Sequence, residues 1–156
     1  MRQVNGLLFA ELLDDEDPAP YVSVQVTYLD ASESFVLLID TGSDVTVLMP
    51  KEAYRLLGDG YFELDSDDVS TSMLIEGVGG NYRAIPFEMS LGIEDENLEQ
   101  LHIGRRVWIA EPVPDLPSDS GNWALPSIFG RDAIRPGDFE LSYTRETVTL
   151  FRPDYE

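Results

Sequence analysis

Cysteine is absent from the 156-residue chain, and histidine and lysine occur once each, as His102 and Lys51. Without cysteine there is no disulfide framework, no thiolate nucleophile and no thiolate metal site. His102 has no second histidine with which to share a metal, and the stretch around it reads as a strand, so no metal and no cofactor are expected. Basic residues are scarce as a class: 10 lysines and arginines face 30 aspartates and glutamates, a formal net charge of −20. Such a surface repels nucleic acid and anionic membranes, and neither is expected as a partner. The acid excess fits a solvated surface, or an adaptation to high salt in which screening relieves self-repulsion; the sequence leaves both open. Long apolar runs are missing too. No stretch is long enough to span a bilayer and nothing behind Arg2 reads as a secretory signal, so a cytoplasmic protein is expected. The acidic runs Asp14–Asp17 and Asp65–Asp68 lack the spaced ligand pattern of a calcium loop and read as solvated turns.

What the chain does contain is material for one core. Hydrophobic residues make up 43% of it, and the length predicts one domain, residues 1–156. Tyr21–Leu29 alternates as a strand with one buried face, and Ser34–Ile39 follows as another. Pro50–Leu57 reads as one or two helical turns, with proline suited to the first helical position and Gly58 as the stop. Tyr61–Asp68 reads as an exposed acidic connection. Val69–Ile75 and Tyr82–Leu91 flank Gly77-Val78-Gly79-Gly80, a hairpin signal. Gln100–Ala110 is a further strand, and Glu111–Asn122 a proline-rich loop. Arg131–Ile134 makes a single helical turn, and Phe139–Thr144 with Thr147–Phe151 a closing hairpin. Many short strands and little helix predict an all-β, barrel-like domain.

One strand ends unusually. Phe35-Val36-Leu37-Leu38-Ile39 runs directly into Asp40-Thr41-Gly42, and an apolar strand has no reason to finish on a carboxylate unless that group is wanted at a fixed place. A threonine hydroxyl can bond a neighbouring loop, and glycine admits a second backbone closely. The chain carries a second triplet of this kind, Asp119-Ser120-Gly121, but prolines precede it rather than a strand, so it reads as a turn.

Three segments in order, Ile39-Asp40-Thr41-Gly42-Ser43, Ile75-Glu76-Gly77-Val78-Gly79-Gly80 and Ile128-Phe129-Gly130-Arg131-Asp132, resemble the retropepsins, the retroviral-type single-lobe aspartic proteases, and in particular their cellular and bacterial relatives. The resemblance spans roughly Tyr21 to Phe151. It implies an all-β, closed barrel-like retropepsin (acid protease) fold with one short helix near the C-terminus, working as a homodimer on peptide or protein substrates. It also assigns roles. Asp40 is the catalytic aspartate, Thr41 joins the lattice between two Asp loops, and Gly42 offers its backbone to substrate. Ile75, Glu76, Gly77, Val78, Gly79 and Gly80 form a flap over the cleft. Gly130 belongs to the strand beside the catalytic loop, Arg131 ties the following helix to Asp44 in an ion pair, and Asp132 continues that support.

The chemistry behind the pattern needs two carboxylates close enough to share one proton, and only one credible Asp loop is present, so the second must come from another chain. Thr147–Phe151 is read as an edge strand that a symmetry mate extends, with Gly6–Leu13 joining the same sheet. Ser43 stands where viral members generally carry alanine. Its hydroxyl, bonded to the outer carboxylate oxygen, would favour the ionised form and a lower working pH. Glu76 is read as a solvent-facing hairpin residue or as a selector against acidic substrates. The alternative to an endopeptidase is a catalytically silent binding or assembly module that keeps the fold.

Overall fold

The computed structural model describes residues 2–9, 18–64, 72–77, 80–112 and 125–152. Its strands are β1 (Arg2–Asn5), β2 (Leu7–Phe9), β3 (Ala19–Tyr28), β4 (Ala31–Ile39), β5 (Val47–Leu48), β6 (Met73–Gly77), β7 (Gly80–Glu94), β8 (Gln100–Ala110), β9 (Ile128–Phe129), β10 (Asp138–Ser142) and β11 (Thr147–Arg152). The helices are α1 (Pro50–Leu57), which runs on into a 3-10 turn at Gly58–Glu63, and α2 (Arg131–Ile134). Among the described residues no helix is long and apolar enough to cross a membrane.

Alternation decides which way the long strands face. Val22, Val24 and Val26 of β3 are buried while Ser23 and Gln25 are exposed, and Phe35, Leu37 and Ile39 of β4 are buried around an exposed Val36. The two strands pair antiparallel from Tyr21↔Leu38 to Tyr28↔Ala31, which puts both valine and phenylalanine–leucine rows on the core side. The larger sheet has eight strands in the order β2-β3-β4-β9-β5-β8-β7-β6, and β3 also pairs with β7 at Gln25↔Gly92 to Thr27↔Ser90. Inside the curl of this sheet lie Val22, Leu37, Leu48, Ile109 and Phe129, each fully buried. A second sheet of three strands has the order β1-β11-β10.

The helix at Pro50–Leu57 has the bounds the sequence predicts. Pro50 takes the first turn, where a missing N–H is no loss, and Gly58 leaves the helix at a φ of 66° that glycine adopts without strain. Gln100–Ala110 and Arg131–Ile134 also fall as read.

Three expectations are corrected. The helix content is not one short helix near the C-terminus: α1 lies in the first half of the chain, and α2 is a single turn. Tyr61 is not part of an exposed connection. It is fully buried and its hydroxyl donates to Ala110 O at 2.7 Å, with burial and the Glu111 charge pushing the phenol well above its ordinary range. Finally, β11 is no edge strand. It is the middle of the small sheet, paired with β1 from Arg2↔Arg152 to Asn5↔Thr149 and with β10 on its other side. Leu7–Phe9, by contrast, joins the larger sheet through β3.

Candidate active site

Asp40 stands where β4 leaves the sheet. Its own N–H donates to Phe129 O at 3.0 Å, its carbonyl accepts from Ser43 N at 3.2 Å, and its Oδ1 accepts from Gly42 N at 2.8 Å. The carboxylate is therefore oriented by the loop that carries it, and it is half-buried. Gly42 is close enough that an added Cβ would lie 3.1 Å from Asp40 Oδ1. Thr41, next to it, is exposed.

The loop is held from behind by the β9–α2 segment. β9 runs parallel to β4 with Leu38↔Ile128 and Ile39↔Phe129 in register. Beyond it, Arg131 N donates to Ser43 O at 2.8 Å and Asp132 N to Asp44 O at 3.3 Å. Gly130 passes so near that a Cβ there would sit 2.2 Å from Val45 O. Thr46 is the hub. Its hydroxyl donates to Asp132 Oδ1 at 2.7 Å and accepts from Gly130 N at 3.1 Å, while its N–H donates to Asp132 Oδ2 at 3.1 Å. The expected Asp44–Arg131 ion pair is present through Arg131 Nη2 and Asp44 Oδ1. Both partners are largely in solvent, so the pair adds little stability.

Because Thr46 is fully buried, Thr46→Val leaves the Gly130 N–H without an acceptor and takes the hydroxyl donor from Asp132 Oδ1, while the backbone bonds to Asp132 persist. We expect it to destabilise the fold by about 1–3 kcal/mol, read as a lower midpoint in urea. Arg131→Ala, which removes the exposed pair, should lower stability by only about 0–1 kcal/mol.

In front of Asp40 lies a cavity of about 490 Å³. Its floor includes Asp40, Gly42, Ser43 and Asp44, and Met73–Glu76 of β6 roof it. Apart from Tyr82, the rest of the lining is apolar, including Leu38, Met49, Leu125 and Ile128. The roof is a hairpin: β6 and β7 pair from Met73↔Ala84 to Gly77↔Gly80. Val78 and Gly79 lie outside the described residues, as do the Asp119-Ser120-Gly121 triplet and Trp123. The structure thus brings Asp40, Gly42, Ser43, Asp44, Ile75 and Glu76 around one cavity, and places Gly130, Arg131 and Asp132 behind it.

The reading of Ser43 is corrected. Its hydroxyl donates to Val45 O at 2.8 Å, two residues along, and so closes the loop on itself rather than bonding the Asp40 carboxylate. His102 is exposed and faces Ser90, with Nδ1 and Oγ 3.1 Å apart.

No protein-family model matches the chain, and no curated protein matches its sequence. Among solved structures, it is similar to a retropepsin-like aspartic protease from Rickettsia conorii. That match is 16% identical, covers 93% of this chain and 89% of the other, and has a TM-score of 0.52. The chain has the retropepsin-like fold. EIAV protease complexed with the inhibitor HBY-793 is 23% identical over 81% of this chain and 92% of its own, at a TM-score of 0.44.

Three residues around this cavity go unnoticed in the sequence. Thr46 is one, and its signal is a polar residue inside the otherwise apolar run Val45–Met49. Ser127 is another: fully buried, it accepts from Met49 N at 2.8 Å and donates to Glu52 Oε2 at 3.1 Å, tying β9 to the start of α1. The third is Tyr82, a nearly buried residue of the roof hairpin that also lines the cavity. Its phenol is pushed up to about 12, first by burial and then by the charge of Asp40. No sequence pattern marks Ser127 or Tyr82, because their roles depend on which strand crosses which.

Proposed function

We propose that the protein is an aspartic endopeptidase whose catalytic pair is formed by Asp40 from each of two chains in a twofold homodimer. The observation that carries this reading is the Asp40 carboxylate, fixed by the Gly42 N–H at 2.8 Å at the floor of an apolar cleft with a hairpin over it. A single carboxylate cannot act as both acid and base. Two of them about 3 Å apart share one proton, because both cannot ionise at that separation. The ionised member then takes a proton from a water held between them, the water oxygen attacks the scissile carbonyl carbon, and the protonated member donates to the carbonyl oxygen. Thr41 is exposed on the single chain, which suits a residue meant to bond across to its symmetry mate.

Substrate binding follows from the sheet edge. Among the described residues β6 pairs only with β7, so its outer backbone is free to hydrogen-bond an extended peptide lying over Asp40. The outer strands of the small sheet, β1 and β10, are the edges a second copy can extend, in place of β11.

The test is concentration. Specific activity against a mixed peptide library should rise with enzyme concentration and level off where sedimentation finds the dimer. Full cleavage by a strictly monomeric species would overturn the shared pair. No cleavage by a well-formed dimer at any pH would favour a silent binding module.

A further inference from the structure

The cleft holds a polar group that the peptidase reading leaves unused. Tyr82 sits on β7 across the ladder from Ile75, and its ring packs with Val47, Met49, Ala84 and Ala110. It is 5% exposed and lines the cavity that Asp40 lines. Among the described residues its hydroxyl makes no hydrogen bond. Tyr61 provides the contrast. That phenol, also buried, is satisfied within the fold by Ala110 O at 2.7 Å. A buried hydroxyl without a partner is unfavourable, and phenylalanine would fill the same apolar seat without that penalty. Its partner is therefore to be sought in what enters the cleft.

We propose that Tyr82 Oη donates a hydrogen bond to a backbone carbonyl of the peptide lying in the cleft, making Tyr82 a specificity-determining residue of the peptidase reading on which this inference rests. The hydroxyl acts as donor because burial and the neighbouring Asp40 charge both oppose its ionisation. A neutral acceptor follows from the surroundings. Among the described residues, the charged ones lining the cavity are Asp40, Asp44 and Glu76, and none is basic. A substrate carboxylate placed there would meet like charge, whereas an uncharged carbonyl would not. The same argument disfavours acidic side chains near the scissile bond. Sites built to satisfy a buried donor reject ligands that lack the matching acceptor more strongly than apolar pockets reject a missing methylene.

The experiment pairs Tyr82→Phe with a cleaved peptide in which each backbone carbonyl flanking the scissile bond is replaced in turn by a thioamide, a weaker acceptor. On the parent peptide, Tyr82→Phe should lower kcat/KM about tenfold with Tm unchanged or raised. At one position, the thioamide should slow the wild type and leave Tyr82→Phe unaffected. A thioamide series that affects both proteins equally at every position overturns the inference while leaving the peptidase intact, as does a loss of activity accompanied by a fall in Tm. A wild type that forms dimers but cleaves no peptide overturns the peptidase reading, and this inference falls with it.

Discussion

Asp40→Asn is expected to remove peptide cleavage by at least about a thousandfold while fold and dimer persist. The amide keeps the shape of the carboxylate and can still accept from Gly42 N, whose bond to Asp40 Oδ1 is 2.8 Å long. What it cannot do is ionise, so no partner retains the shared proton or the base that activates water. The stronger form of the prediction is a mixing experiment. If each active unit needs Asp40 from both chains, re-equilibrating equal amounts of wild type and Asp40→Asn leaves roughly one quarter of the dimers intact at both positions. Activity should fall to that level relative to undiluted wild type. Independent sites, one per chain, would leave about one half, so measured residual activity separates the two. The variant's circular dichroism and sedimentation profile serve as controls, because a mutant that fails to dimerise could not poison its partner.

Gly130→Ala should strongly destabilise the fold. A Cβ at that position would lie 2.2 Å from Val45 O and 2.4 Å from Val45 C. The obstacle is backbone, not the end of a flexible side chain, so relief requires the Asp40 loop and the β9–α2 segment to separate. That separation pulls on the Arg131 N to Ser43 O and Gly130 N to Thr46 Oγ1 bonds together. We expect a loss of about 3 kcal/mol or more, which for a chain of this size lowers Tm on the order of 6–12 °C. Gly60→Ala is the matched control, since nothing lies within 4 Å of the Cβ it would add. Equal melting of the two variants would show that the contact between loop and segment is not tight. Reduced activity in whatever Gly130→Ala remains folded would further tie the loop's position to its support.

Much of this was legible in the sequence. Strand alternation gives β3 its buried face, the proline and glycine bounds give α1 its ends, and the polar finish of an apolar strand locates Asp40. These are local signals: a side chain's period, a φ that proline or glycine favours, a carboxylate out of place. The missed features depend on non-local packing. Tyr61 falls in a run of acids and glycines that reads as surface, yet its ring is taken up under β8 because that strand offers Ala110 O as an acceptor. β11 reads as a terminal edge because nothing in Thr147–Arg152 tells that Arg2–Asn5 will come back to cover it. Ser43 follows the same logic on a smaller scale. Its hydroxyl bonds Val45 O, which the turn presents, rather than the Asp40 carboxylate that the sequence suggests. Thr46 was the nearest miss, a buried hydroxyl whose partners lie 84 and 86 residues further along the chain.

That separation has a consequence for how the protein is made. During synthesis the acid triplet leaves the ribosome long before Phe129, Gly130 and Asp132, the groups that set its geometry. Until they arrive, Asp40 is a side chain on an unanchored loop, and neither a nascent chain nor a fragment ending ahead of Ile128 holds the long-range contacts that support it. A cut anywhere between the two segments, if the halves drift apart, releases the loop from its support without touching the aspartate itself.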